Sequence, residues 1–116
     1  MPIGTPTAGA LETVISAATT TVTGQAFQAR PLNRAFQAFV TGSGAVTATV
    51  IIEVSMDGIN WATRTTIAIS GTAGTNGASG VYVDTLSPFP YVRGSLTAIT
   101  GTNAACTLMM SGNAGG

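Results

Sequence analysis

The side chains able to carry chemistry are few, and they are poorly assorted for a reaction. Four carboxylates (Glu12, Glu53, Asp57, Asp84), four arginines (Arg30, Arg34, Arg64, Arg93), one thiol (Cys106) and many Ser and Thr hydroxyls are present, with no histidine and no lysine. Hydrolysis by paired carboxylates needs two of them facing each other across a cleft. Asp57 reads as a turn former and Glu53 as a solvated strand charge with Arg64 as its cross-strand partner, which leaves Glu12 with Asp84 as the one pair to consider. Hydroxyls without an imidazole to activate them are weak nucleophiles. Cys106 lies in the apolar run Ala104-Ala105-Cys106-Thr107-Leu108, where a buried thiol is the first reading and a reactive thiol the second. With His absent and Cys single, no metal site can be read. The small-residue stretch from Gly71 to Gly80 has the look of a phosphate cradle, but no Lys-Ser/Thr follows it and no helix opens after it, so it reads as a surface loop. The chain is therefore expected to be a non-enzyme without cofactors.

Composition narrows the partners. Of 116 residues 45% are hydrophobic and only 7% charged, with acids and bases balanced at four each, where an ordinary domain carries about 25% charged residues. Scattered arginines make no basic face, so nucleic acid is not expected. No apolar stretch approaches the roughly 18 residues of a membrane span, and Met1-Pro2-Ile3-Gly4-Thr5-Pro6 has neither the basic nor the apolar region of a secretory leader. One Cys makes no internal disulfide.

The elements that must position these residues are strands. Val46, Ala48, Val50, Ile52 and Val54 alternate with Thr47, Thr49, Ile51 and Glu53, the period of a strand with one buried face. Asp57-Gly58 supplies a tight turn, so residues 61–70 fold back as the second arm of a hairpin. Phe36, Ala38 and Val40 alternate in residues 34–41, and Gly42-Ser43-Gly44 reads as the turn of another hairpin into residues 45–55. Residues 11–23 read as one or two edge strands with a possible break at Ala17-Ala18; residues 81–85, 91–99 and 104–110 complete the set. Pro88-Phe89-Pro90 lacks ladder donors and reads as a corner at the sheet edge. The expectation is an all-β, single-domain antiparallel β-sandwich or jelly roll of about eight short strands over residues 11–111, with an N-terminal arm (1–10) and a glycine-rich tail (112–116). Trp61 beside the turn either plugs the end of the core or stacks on a sugar; Phe89 and Tyr91 form either a corner or a contact surface.

The run Ser55-Met56-Asp57-Gly58-Ile59-Asn60-Trp61, followed by Pro90-Tyr91-Val92-Arg93 and by Ile99-Thr100-Gly101-Thr102-Asn103-Ala104-Ala105-Cys106-Thr107-Leu108, resembles the small β-sandwich virion proteins of tailed bacteriophages. The resemblance covers roughly residues 35–111. It implies a structural role for Asp57, Gly58, Trp61 and Arg93, a place in the virion after synthesis in the host cytoplasm, self-association into a homo-oligomer, and a partner in the major capsid protein or another virion protein. The leading expectation is a capsid decoration or cement protein that stabilises the assembled coat; the alternative is a neck, tail or fibre-anchoring component. Low charge and alternating apolar faces agree with a surface covered by neighbours. Contact residues are sought in the arms (Pro2, Ile3, Thr5, Pro6, Asn113), the small-residue loop (Thr75, Asn76) and the proline corner (Phe89, Tyr91). The same run is similar to discoidin-like carbohydrate-binding domains, which implies a further alternative of sugar binding through Trp61, Tyr82 or Tyr91, although those domains are longer and carry terminal cysteines.

Overall fold

A computed structural model of the chain describes residues 10–28, 33–84 and 89–113. Its elements are β1 (Ala10–Ala18), β2 (Val22–Thr23), β3 (Phe27–Gln28), β4 (Asn33–Ser55), β5 (Ala62–Thr72), a single 3-10 turn (Asn76–Ala78), β6 (Ser79–Asp84) and β7 (Tyr91–Asn113). All seven strands belong to one antiparallel hydrogen-bonded system, and among the described residues no α-helix forms. The fold is all-β, as the period-two pattern requires.

Two 23-residue strands organise the molecule. β4 and β7 pair along their whole length, from Asn33 with Asn113 to Ser55 with Tyr91. Both bend where Ser43 meets Thr102, with register shifts on either side. Beyond the bend each strand enters the opposite layer. One layer runs β1, residues 105–113 of β7, residues 33–41 of β4, then β6. The other runs β2 and β3, residues 91–100 of β7, residues 45–55 of β4, then β5. The layers face each other: a Cβ built on Gly94, in one half of β7, would collide with the Leu108 side chain in the other half. Between them lie Phe36, Ala38 and Val40, then Val46, Ala48, Val50, Ile52 and Val54, all buried.

This arrangement corrects the expected strand count and one connection. Residues 34–41 and 45–55 are not the arms of a hairpin; they are two halves of β4 that never pair with each other. Likewise residues 91–99 and 104–110 are one strand. Gly42-Ser43-Gly44 reads as a turn because glycine lets the backbone leave the β region, and it does so on both strands: φ is +149° at Gly42, +70° at Gly44 and +127° at Gly101, with Asn103 at +54°. A turn and a sharp bend need the same residues. What distinguishes them is the partner strand bending at the same level. The small-residue loop is also shorter than expected, because Gly71 and Thr72 finish β5 and Ser79 opens β6. Thr75 closes a turn on the Thr72 carbonyl from both its N–H (3.1 Å) and its hydroxyl (2.6 Å), and Ala78 is buried. Ala17, at φ +46°, marks the expected break in the first edge segment. β3 has no counterpart in the sequence reading, and its Phe27 is a core residue at 3% exposure.

The bend gives a stability test. A methyl group on Gly101 would stand 2.8 Å from Val46 Cγ1 and 3.0 Å from the Ala45 carbonyl, at a φ that side chains avoid. Gly101→Ala is expected to cost about 1–3 kcal/mol, lowering the melting temperature by roughly 4–8 °C for each kcal/mol. Circular dichroism melts of the two proteins measure it; an unchanged melting temperature would mean that the corner relaxes freely.

Candidate functional site

Four of the residues that the sequence singles out, Asp57, Gly58, Trp61 and Arg93, meet at one end of the sandwich, where β4 turns into β5. The turn is wired from within. Ser55 Oγ accepts from the N–H groups of Asp57 (3.2 Å) and Gly58 (2.9 Å) and donates to Asp57 Oδ1 (2.9 Å). The same Oδ1 accepts from the N–H groups of Ile59 (2.9 Å) and Asn60 (2.8 Å), while Oδ2 accepts from Asn60 Nδ2 (2.7 Å). These bonds hold the Asp57 carboxyl well below the usual carboxylate range, the Asn60 N–H contributing most and the Ile59 N–H next. Gly58 takes φ +76°, and the Tyr91 ring lies 3.4 Å from the place a Cβ would occupy. Asp57 and Gly58 are thus turn formers, as the Asp-Gly pair implies.

Beside the turn, on the outer face of β4 and β7, Glu53 sits opposite Arg93 in register. Arg93 Nε donates to Glu53 Oε1 at 3.0 Å, and Ser95 Oγ donates to the same oxygen at 2.9 Å. The guanidinium also lies 4.3 Å from the centre of the Trp61 ring, within cation–π range. Two expectations change here. Glu53 pairs with Arg93 rather than with Arg64, because register in the β4–β5 ladder shifts by one between Ile52 and Glu53, setting Thr63 opposite Glu53 and leaving Arg64 as the extra residue of a bulge. Trp61 is half-buried and stands outside the core cluster, held by Arg93 instead of plugging the sandwich.

Other candidates scatter. Thr75 and Asn76 are exposed at the far end of β5. Tyr91 opens β7, half-buried under the turn, and Phe89 packs partly against the core. Pro2, Ile3, Thr5 and Pro6 lie outside the described residues, as does the side chain of Asn113. Glu12 and Asp84 stand on the two opposite edge strands of one layer, three strand spacings or roughly 14 Å apart along the sheet. Cys106 is fully buried, and burial pushes its thiol up to about 11, so it is unreactive at neutral pH.

Sequence reading missed Arg34. Only 2% exposed, it donates from Nη2 to the Phe89 carbonyl and pins the proline corner to β4. The signal was present, since Arg34 shares the even phase of Phe36, Ala38 and Val40.

No protein-family model matches the chain, and no characterised protein matches it in sequence. Solved structures match its fold. The crystal structure of the SPBc2 prophage-derived protein YomS superposes with a TM-score of 0.55 at 14% identity, over 87% of this chain and 89% of that one. That of the PBSX exported protein XepA gives 0.58 at 19% identity, over 93% of this chain and 38% of that one, so the chain spans well under half the length of XepA. A structure described as "CBM4 structure and function" reaches only 0.40 at 13% identity, over 89% of this chain and 79% of that one, too low to support any argument about sugars. At these identities the likeness is one of fold, and the chain is a β-sandwich of the kind seen in YomS and XepA.

Two tests follow from the turn. Arg93→Ala removes the cation from the Trp61 face and leaves Glu53 with Ser95 alone, so the emission of the single tryptophan should shift to the red, with a stability loss of about 1 kcal/mol for a partly exposed pair; unchanged emission would place the indole elsewhere. Asp57→Ala should melt earlier than the parent at neutral pH. Because the folded-state pKa is depressed, the Asp57 contribution is fully present above the unfolded value of 3.8 and is lost as pH falls below it. The gap between the two melting temperatures should therefore narrow on acidification below pH 3.8, and a gap independent of pH would assign the loss to something other than the carboxylate.

Proposed function

We propose that this chain is a non-catalytic structural protein of a phage particle, a decoration or cement subunit that seats on the assembled coat and adds buried area between coat subunits. The observation that carries this reading is the fold, shared over 87% and 93% of this chain with two prophage proteins. Surface chemistry supports it. Glu53 and Arg93 neutralise each other and Arg34 is buried on a carbonyl, which leaves the outward positions of both layers largely to Thr, Ser, Gln, Ala and aliphatic side chains, with Arg64 exposed on β5. A surface so poor in charge can be covered by a neighbour with few charged groups to desolvate. Binding only the assembled shell would shift stability toward that state by mass action.

Sugar binding is the weaker reading because each platform already has a neighbour. Arg93 covers Trp61, the Phe36 ring stacks on Tyr82 with centroids 6.3 Å apart, and the Tyr91 ring backs Gly58.

The deciding experiment counts and locates the chain in purified particles, by quantitative gel densitometry with particle reconstruction. A decoration subunit is present on the order of hundreds of copies across the icosahedral shell, and particles stripped of it burst at a lower temperature. A small fixed number at one vertex moves the chain to a neck or tail position. Absence from particles, or stripped particles of unchanged heat resistance, overturns the cement role.

A further inference from the structure

Apart from Val22, the exposed large apolar side chains among the described residues gather in two places, one convex and one concave. The convex one is the tip of the β4–β5 turn, where Ile59 is 79% and Met56 66% exposed. This tip is preorganised: Ser55 and Asp57 tie down the N–H groups of residues 57–60, and Tyr91 backs Gly58. The backbone beneath two exposed aliphatic side chains is thereby fixed, so a binding partner has to order the side chains but not the turn.

The concave place is on the outer face of the layer containing β1 and β6. Register sets Leu11, Ser111, Ala35 and Val83 in one row across the four strands, and Thr13, Met109, Gln37 and Val81 in the next. Small residues at 35 and 111 form a floor; Leu11 (56% exposed) and Val83 (60%) wall it on either side, while Met109 and Val81 (70%) close one end. The resulting trough has a volume of about 430 Å³ and no charged side chain in its lining, enough for an isoleucine and a methionine side chain together.

We propose that the tip of one copy docks into the trough of a second copy, Ile59 and Met56 filling the space over Ala35. Ile59, Met56 and the walls of the trough are apolar; the charged groups beside the tip are Asp57, whose carboxylate is satisfied within the turn, and Arg64, which lines the same surface pocket as Met56, and both stay at the rim of the contact. Tip and trough lie on different layers of a rigid sandwich, so a copy cannot fill its own trough. The contact is head-to-tail and leaves one free tip and one free trough at its ends, which closes into a ring or extends. A two-residue plug buries roughly 600–800 Å² in total, below the span of stable pairs. Association is therefore weak in dilute solution and strengthens when copies are held side by side. The inference stands independently of any role in a phage particle.

Analytical ultracentrifugation between about 10 µM and 1 mM, the range of weak contacts, tests it with Ile59→Asp, which spoils the tip, and Val81→Glu, which spoils the trough. The parent mass should rise with concentration, and each variant alone should stay monomeric with an unaltered melting temperature. Mixed together, the intact trough of the first should accept the intact tip of the second, giving a one-to-one dimer and nothing larger. A parent that stays monomeric throughout, or a mixture that fails to pair, overturns the proposal. So does association of both variants as in the parent, which would route the contact through another surface such as the free edge of β5. If Val81→Glu instead lowers the melting temperature and no variant changes mass, the trough is closed by the chain's own residues 1–9, and the proposal is equally lost.

Discussion

β4 and β7 hydrogen-bond to each other in both layers and cross between them at one shared corner, Ser43 against Thr102. Every other strand hangs on this ladder: β6 and β1 flank its one half, β5 with β2 and β3 its other half. A sandwich built from two separate sheets can lose a corner and keep each sheet. Here the corner is where the two sheets are one, so its backbone geometry sets the angle and spacing of the layers and hence the packing of Leu108 over Gly94. The positive φ values at Gly42, Gly101 and Asn103 are the local cost of that construction.

A second economy follows from the scarcity of charge. The arginines and acids whose contacts are described are spent inside the molecule. Arg34 reaches the Phe89 carbonyl, Arg93 binds Glu53 while covering Trp61, and Asp57 folds its own turn. Each joins segments distant in sequence or closes a loop, so the few ionic groups act as fasteners where the hydrophobic effect, being non-directional, cannot fix a geometry. The contacts that make the turn and the corner rigid also take most of these charges off the outer faces, where Arg64 stays exposed.

Much of this was legible in the sequence, and the failures have physical causes. The long buried row from Val46 to Val54 and the Asp57-Gly58 hairpin are local features: alternation and turn chemistry decide them, and both appear where expected. Gly42-Ser43-Gly44 was misread because a hairpin and a bend make the same demand on backbone freedom; only the pairing of residues 100–105 with residues 41–47 separates them, and pairing is not local. The partner of Glu53 was missed because a single-residue bulge at Arg64 moves the register by one, which no periodicity reveals. Arg34 was overlooked although its phase matched the core, since a charged residue on an inward row looks like an error until the carbonyl that receives it is seen.

The two outer faces end up chemically different, and the strands explain why. On the layer bearing β5 the outward rows of β4 and β5 carry Thr47, Thr49, Thr66 and Ser70; the Thr47 hydroxyl bonds to that of Thr100, and the Thr97 hydroxyl donates to the Thr49 carbonyl at 3.2 Å. These hydroxyls are partly satisfied within the sheet, so the face is wettable yet loses little when water is removed. On the layer bearing β6 the corresponding rows hold Ala35, Val81, Val83 and Met109, which gain by leaving water. A subunit with one wettable and one greasy face, and an apolar tip at the end of the wettable layer, has a preferred way up against any neighbour. That polarity comes from the outward rows themselves, which carry threonine and serine hydroxyls on one face and the aliphatic groups of alanine, valine and methionine on the other, with the β-branched Thr and Val suiting either strand alike.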